Sequence, residues 1–187
     1  IKLDISGTAD ELTTTWKAMA INLLVSIIIV YLLMTILFES FKYPFIIMLS
    51  VPPAAAGGVI GLSLLNLSTF QPLDMLTMLG FVILSGIVVN NAILLVHRTL
   101  QTIKNNNLSV NNAILDATNS RIRPIFMSTL TSVFGMLPLV VFPGAGSELY
   151  KGLGSVILGG LSLSAVLTLL IVPPMLKLFL QEKELIK

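Results

Sequence analysis

Apolar residues in this chain gather into long blocks divided by short polar connections, with neither the strict alternation of a half-buried strand nor the narrow stripe of a surface helix. The clearest block, residues 73–96, reads LDMLTMLGFVILSGIVVNNAILLV and is apolar except for small residues and the pair Asn90-Asn91. At 1.5 Å per residue such a helix crosses a hydrocarbon core of roughly 30 Å. Four more blocks, residues 16–38, 44–65, 124–142 and 153–176, have the same character. The pattern therefore predicts an all-α membrane protein with five transmembrane helices occupying residues 16–176.

The connections carry ordinary punctuation. Residues 1–6, IKLDIS, alternate like the end of a strand stopped by Gly7, and TADELTTTW offers caps before the first span, with Trp16 and Lys17 suited to a membrane interface. Pro44 fits the first turn of the second span, which holds Pro52-Pro53 and then Gly57, Gly58 and Gly61. A break or kink is expected there. The small residues favour close helix packing over a substrate hinge, and Gly86, Gly159 and Gly160 are further candidates for such packing. Between the third and fourth spans, SVNNAILDA (residues 109–117) reads as a short amphipathic helix along the membrane surface, capped by Ser109. Arg121 to Pro124 opens the fourth span, Pro173-Pro174 ends the fifth, and residues 177–187 form a charged tail.

Composition agrees with a bilayer as solvent: 55% of the 187 residues are hydrophobic and 11% are charged, against about 25% charged in soluble domains. A net charge of +2 gives no electrostatic basis for nucleic-acid binding. Cysteine is absent, so a disulfide framework or a thiolate metal site is excluded, and the lone His97 leaves no metal-ligand cluster or nucleophile-and-base pair. No cofactor is expected, nor a soluble-type enzyme. The chain begins at Ile1 without the charged and short apolar regions of a signal peptide, and is expected to be a piece of a longer protein.

Polar groups inside the spans are the candidates for function. Asn90 shares a helix face with Gly86 and His97, a stripe leading from mid-membrane to one end, while Asn91 sits beside it. An unpaired amide in hydrocarbon costs on the order of several kcal/mol, so both need a protein partner or water. Interhelical glue and participation in an ion path both fit the spacing. Arg121, Arg123, Ser128, Thr129, Thr131 and Ser132 crowd the start of the fourth span, where the arginines could be membrane anchors and the hydroxyls could bond back to their own helix. No span holds an acidic residue at mid-membrane.

Four ordered segments, FESFKYPFIIMLSVPPAAAGG, GIVVNNAILLVHR, SRIRPIFMSTLTSVFGMLPLV and PGAGSELYKGLGSVILGGL, resemble the C-terminal membrane half of resistance-nodulation-division (RND) efflux pumps of the hydrophobe/amphiphile, AcrB-like type. The resemblance covers nearly the whole chain from Gly7. It implies the last five helices of a twelve-helix transporter, with residues 1–6 as the final strand of a periplasmic porter domain. It also implies a homotrimer in the bacterial inner membrane that exports drugs or other amphiphilic compounds against proton entry, working with a periplasmic adaptor and an outer-membrane channel. The family's proton-binding aspartate pair would lie on a fourth helix outside this sequence. At the position of the family's lysine stands Asn90, while Arg121 and Ser128 match its arginine and hydroxyl residue, the latter a threonine in the AcrB-like pattern. An amide cannot neutralise a carboxylate, so the charge balance of such a relay would differ here. A structural, sensing or protein-export membrane module of the same superfamily is the alternative.

The basic residues give an orientation. With five spans, Lys42, Arg98, Lys104, Arg121, Arg123, Lys177, Lys183 and Lys187 fall on one side and only Lys2, Lys17 and Lys151 on the other. The excess marks the first side as cytoplasmic. Single cysteines at Asn106 and Ser147 of the full-length protein are therefore expected to react with an impermeant maleimide from opposite faces, and reaction of both from outside would contradict the assignment.

Overall fold

The computed structural model describes residues 7–106, 109–142, 144 and 146–184, so the strand expected at residues 1–6 lies outside the described residues. Six helices follow one another: α1 (Gly7–Phe38), α2 (Lys42–Met48), α3 (Val51–Asn66), α4 (Met75–Asn106), α5 (Val110–Val141) and α6 (Ser147–Glu184). With α2 and α3 taken as one span, five of the described segments are long and apolar enough to cross a membrane. The chain is an all-α, multi-pass membrane protein.

The break expected in the second span falls at Leu49-Ser50, just ahead of the proline pair. Pro52 and Pro53 sit in the first turn of α3, where their missing N–H groups would have had no helical partner in any case. The buried Ser50 hydroxyl closes the break by donating to the Ile47 carbonyl at 2.6 Å. At the start of α4 the Asp74 carboxylate accepts from both the Thr77 amide (2.8 Å) and the Thr77 hydroxyl (2.6 Å), tying down a first turn that would otherwise have free donors.

Two boundaries differ from the sequence expectation, for one reason. The amphipathic stretch 109–117 is helical but continuous with the fourth span, and Pro124 lies inside α5. Its buried residues Val110, Ala113, Ile114 and Ala117 recur every three or four positions, and Val110 and Ile114 pack with Val172, Leu176 and Leu180 of α6. Ser109 occupies the N-cap position without a side-chain cap bond. Likewise α6 does not stop at Pro173-Pro174 but runs on to Glu184. Proline removes helix donors there, yet burial of Val172 and Leu176 on the same face holds the helical path. The two ends keep each other helical.

Around α6 the bundle is assembled: it packs against α3, α5 and α4. One buried cluster joins Ala54 and Leu62 of α3 to Leu84 and Val88 of α4 and to Val156, Ile157 and Leu161 of α6. The other joins Ile46 and Ile47 of α2 to Leu95 and Val96 of α4 and Val172 and Leu176 of α6. By contrast α1 leans on the edge and leaves Ile21, Leu24, Leu32, Leu33 and Ile36 bare.

The α3–α6 contact is made by glycine. A methyl group at Gly57 would come within 2.8 Å of the Gly159 carbonyl oxygen, and one at Gly159 within 2.7 Å of the Gly61 Cα, while one at Gly160 would enter the Leu84 side chain. At Gly57, Gly61 and Gly159 backbone meets backbone, so no neighbour there can rotate away. Among the described residues Gly86 packs against no neighbour: it is exposed and none of their atoms lies within 4 Å of where its Cβ would be. We expect Gly61→Ala in the full-length protein to lower stability by about 1–3 kcal/mol through overpacking, seen as an earlier thermal transition in detergent. Ser63→Ala, whose exposed hydroxyl only bonds back to Val59, should change it by less than about 0.5 kcal/mol; equal transitions for the two variants would contradict the seam.

Candidate functional site

The face of α4 that meets α6 carries Leu84, Val88, Ala92 and Leu95, all buried. At about 100° per residue, Gly86, Asn90 and His97 fall on the opposite side of the helix, and all three are exposed. Packing alone decides this: the α4 face that fits α6 is the apolar one, so the amide is turned out.

Asn90 opens into a cavity of about 290 Å³ between α1, the α2–α3 break and α4. Its other polar linings are Ser26 and Ser85, and the rest of the wall includes Met34, Met48, Val51 and Gly86. The Ser26 hydroxyl donates to the Asn22 carbonyl at 2.8 Å and the Ser85 hydroxyl to the Val82 carbonyl at 2.7 Å, so each is satisfied within its own helix. A second cavity of about 160 Å³, almost wholly apolar, shares Ile27, Val51, Val82 and Ser85 with the first. Together they form a seam under α1 with one free carboxamide at its end.

Among the described residues no hydrogen bond is made by the side chain of Asn90 or Asn91. One position on, Asn91 is turned toward the bundle and half-buried. A carboxamide offers two donors and an acceptor, so Asn90 can bond either an ionised or a protonated acid presented from beyond this bundle.

On α5, Arg121 and Ser128 stand seven residues apart and share a face, separated by about 10 Å along the axis. The Arg121 Nε is buried and has no hydrogen-bond partner among the described residues. Ser128 is exposed and its hydroxyl donates to the Ile125 carbonyl at 3.0 Å, while Thr131 does the same to Met127 at 2.8 Å. Neither Arg121 nor Ser128 lines the Asn90 cavity. The described chain thus holds the two halves of the expected constellation on different helices without a direct bond between them. His97 stacks obliquely on Phe38, with ring centroids 6.5 Å apart, which suits an interfacial aromatic contact.

Sequence reasoning missed Ser26 and Ser85 beside Asn90. Ser85 lies five residues before Asn90 on α4, about 140° round the helix and so off its face, and Ser26 is on α1; only the packing shows that both line the same cavity.

Residues 1–180 match the family model described as "AcrB/AcrD/AcrF family". The chain belongs to that family of RND transporters. It is 39% identical over 173 residues to the multidrug resistance protein MdtC of Citrobacter koseri, which covers 92% of this chain and 16% of that protein. The MdtC proteins of an Enterobacter species and of Photorhabdus laumondii are 38% and 39% identical, over 92% and 90% of this chain and again 16% of their own length. The chain therefore spans about a sixth of the length of the curated relatives it matches.

Proposed function

We propose that these helices are the last five of a twelve-helix RND transporter that couples proton entry to the export of drugs or other amphiphilic compounds. The observation that carries this reading is the outward polar face of α4, where Asn90 has no partner, in a chain that matches the family over residues 1–180. A bare amide in hydrocarbon is unfavourable by several kcal/mol. It is explained if the rest of the protein covers it with a polar group. The names of the MdtC relatives, multidrug resistance proteins, support the efflux reading over a sensing or protein-export module.

In this reading the carboxylates of the missing fourth helix meet Asn90, with Asn91 beside it turned toward the bundle. The amide donates its N–H₂ when the acid is ionised and accepts when it is protonated, so it follows both states without carrying a charge. Arg121, with its buried and unpartnered Nε, supplies the positive charge that Asn90 lacks, and Ser128 orders water on the path between them. The domain layout follows: residues 1–15 lead in from a periplasmic porter domain, 16–176 form the bundle and 177–187 reach the cytoplasm. The assembly is a homotrimer in the bacterial inner membrane, joined by a periplasmic adaptor and an outer-membrane channel.

Asn90→Leu in the full-length protein roughly keeps the volume and removes the partner of the carboxylate. Desolvated and unbonded, that acid should have a raised pKa and release its proton slowly. Export of a fluorescent drug is expected to fall at least tenfold while assembled protein stays near normal, because losing one interhelical amide bond costs only about 1 kcal/mol. Asn91→Leu should be milder. Wild-type export by Asn90→Leu at equal abundance would refute the role.

A further inference from the structure

On the side of α6 that faces away from α4, the bundle carries a groove of about 900 Å³, bounded by the end of α3, the end of α5 and the start of α6. Leu64, Leu137 and Leu158 form its walls, and the glycines of the α3–α6 seam lie at its floor. Small-molecule pockets run from roughly 300 to 1,000 Å³, so it is large for a gap between packed helices.

Polarity and length define what fits. Ser68 and the half-buried Lys151 stand at the open end, and Lys151 has no ion pair with any described carboxylate. Glu148, three residues nearer the start of α6, is exposed and does not line the groove. From Lys151 to Leu163, the deepest α6 residue in the lining, the helix rises about 18 Å. That is the depth of one leaflet plus its interface, about half of a hydrocarbon core of roughly 30 Å. A docked transmembrane helix would need the full thickness.

We propose that this groove binds an anionic phospholipid, with its acyl chains along the leucine walls and its phosphate on Lys151. The lysine stem follows the apolar wall while the ammonium stays at headgroup level, as expected for a cation at a membrane edge. The groove lies opposite the Asn90 face and serves a purpose separate from coupling. Its existence does not depend on which compounds are exported.

The test uses the full-length protein, delipidated in detergent and titrated with phosphatidylglycerol or phosphatidylcholine of equal chain length, with bound lipid counted by native mass spectrometry. Phosphatidylglycerol should bind the wild type about fivefold more tightly, the gain associated with one lysine near an anionic headgroup. Lys151→Gln should erase that preference and Lys151→Arg should keep it. Ser162→Trp, which replaces an exposed lining residue with one that fills the groove, should weaken both lipids. Equal affinity of the wild type for the two lipids, an unchanged preference in Lys151→Gln, or a stoichiometric protein adduct in place of lipid would each overturn the proposal.

Discussion

Everything in this bundle depends on the bare backbone contact between α3 and α6. Gly57, Gly61 and Gly159 let two helices touch without intervening side chains, and in a bilayer such close van der Waals contact does work that the hydrophobic effect does in water. With α3 locked there, Val156, Ile157, Gly160 and Leu161 of α6 are left to receive α4. The apolar face of α4 has to take that place. Asn90 is consequently turned outward, and the groove beside Lys151 opens on the other side. One contact thus assigns an outer and an inner side to the molecule.

Much of this was legible in the sequence. Hydropathy alone marks all five spans, because only a helix satisfies its own backbone in lipid, and the proline and glycine pairs of the second span announce its break. Helix ends were less legible. Pro124 and Pro173-Pro174 look like boundaries, yet α5 and α6 run through them because Val110, Ile114, Val172 and Leu176 bury one another. A local rule about proline was overridden by contact between segments about 60 positions apart in a chain whose long antiparallel helices bring their ends together.

The candidate site was legible in its residue types and not in its arrangement. Asn90 stands out as an amide in an apolar block, and its pitch neighbours Gly86 and His97 are on its face as spacing requires. Gly86 nevertheless packs against none of the described residues, since the same small residue serves a seam or a cavity according to which face meets a partner. Ser26 was invisible because nothing in a single sequence fixes how α1 is rotated. In the proposed reading the carboxylates that complete the site belong to another part of the protein. The buried Arg121 Nε has no partner among the described residues, and the proposed assembly would supply one.

In the proposed assembly the bundle has a protein-facing side at Asn90 and a lipid-facing side at the opposite surface of α6. Disulfide trapping in membranes measures this directly, using full-length protein free of other cysteines and carrying single cysteines stepped along its fourth helix. Asn90→Cys is predicted to cross-link to one helical face of that helix, whereas Ser162→Cys should cross-link to none of those positions and react instead with a lipid-soluble maleimide. Cross-linking of Ser162→Cys together with free labelling of Asn90→Cys would contradict the account.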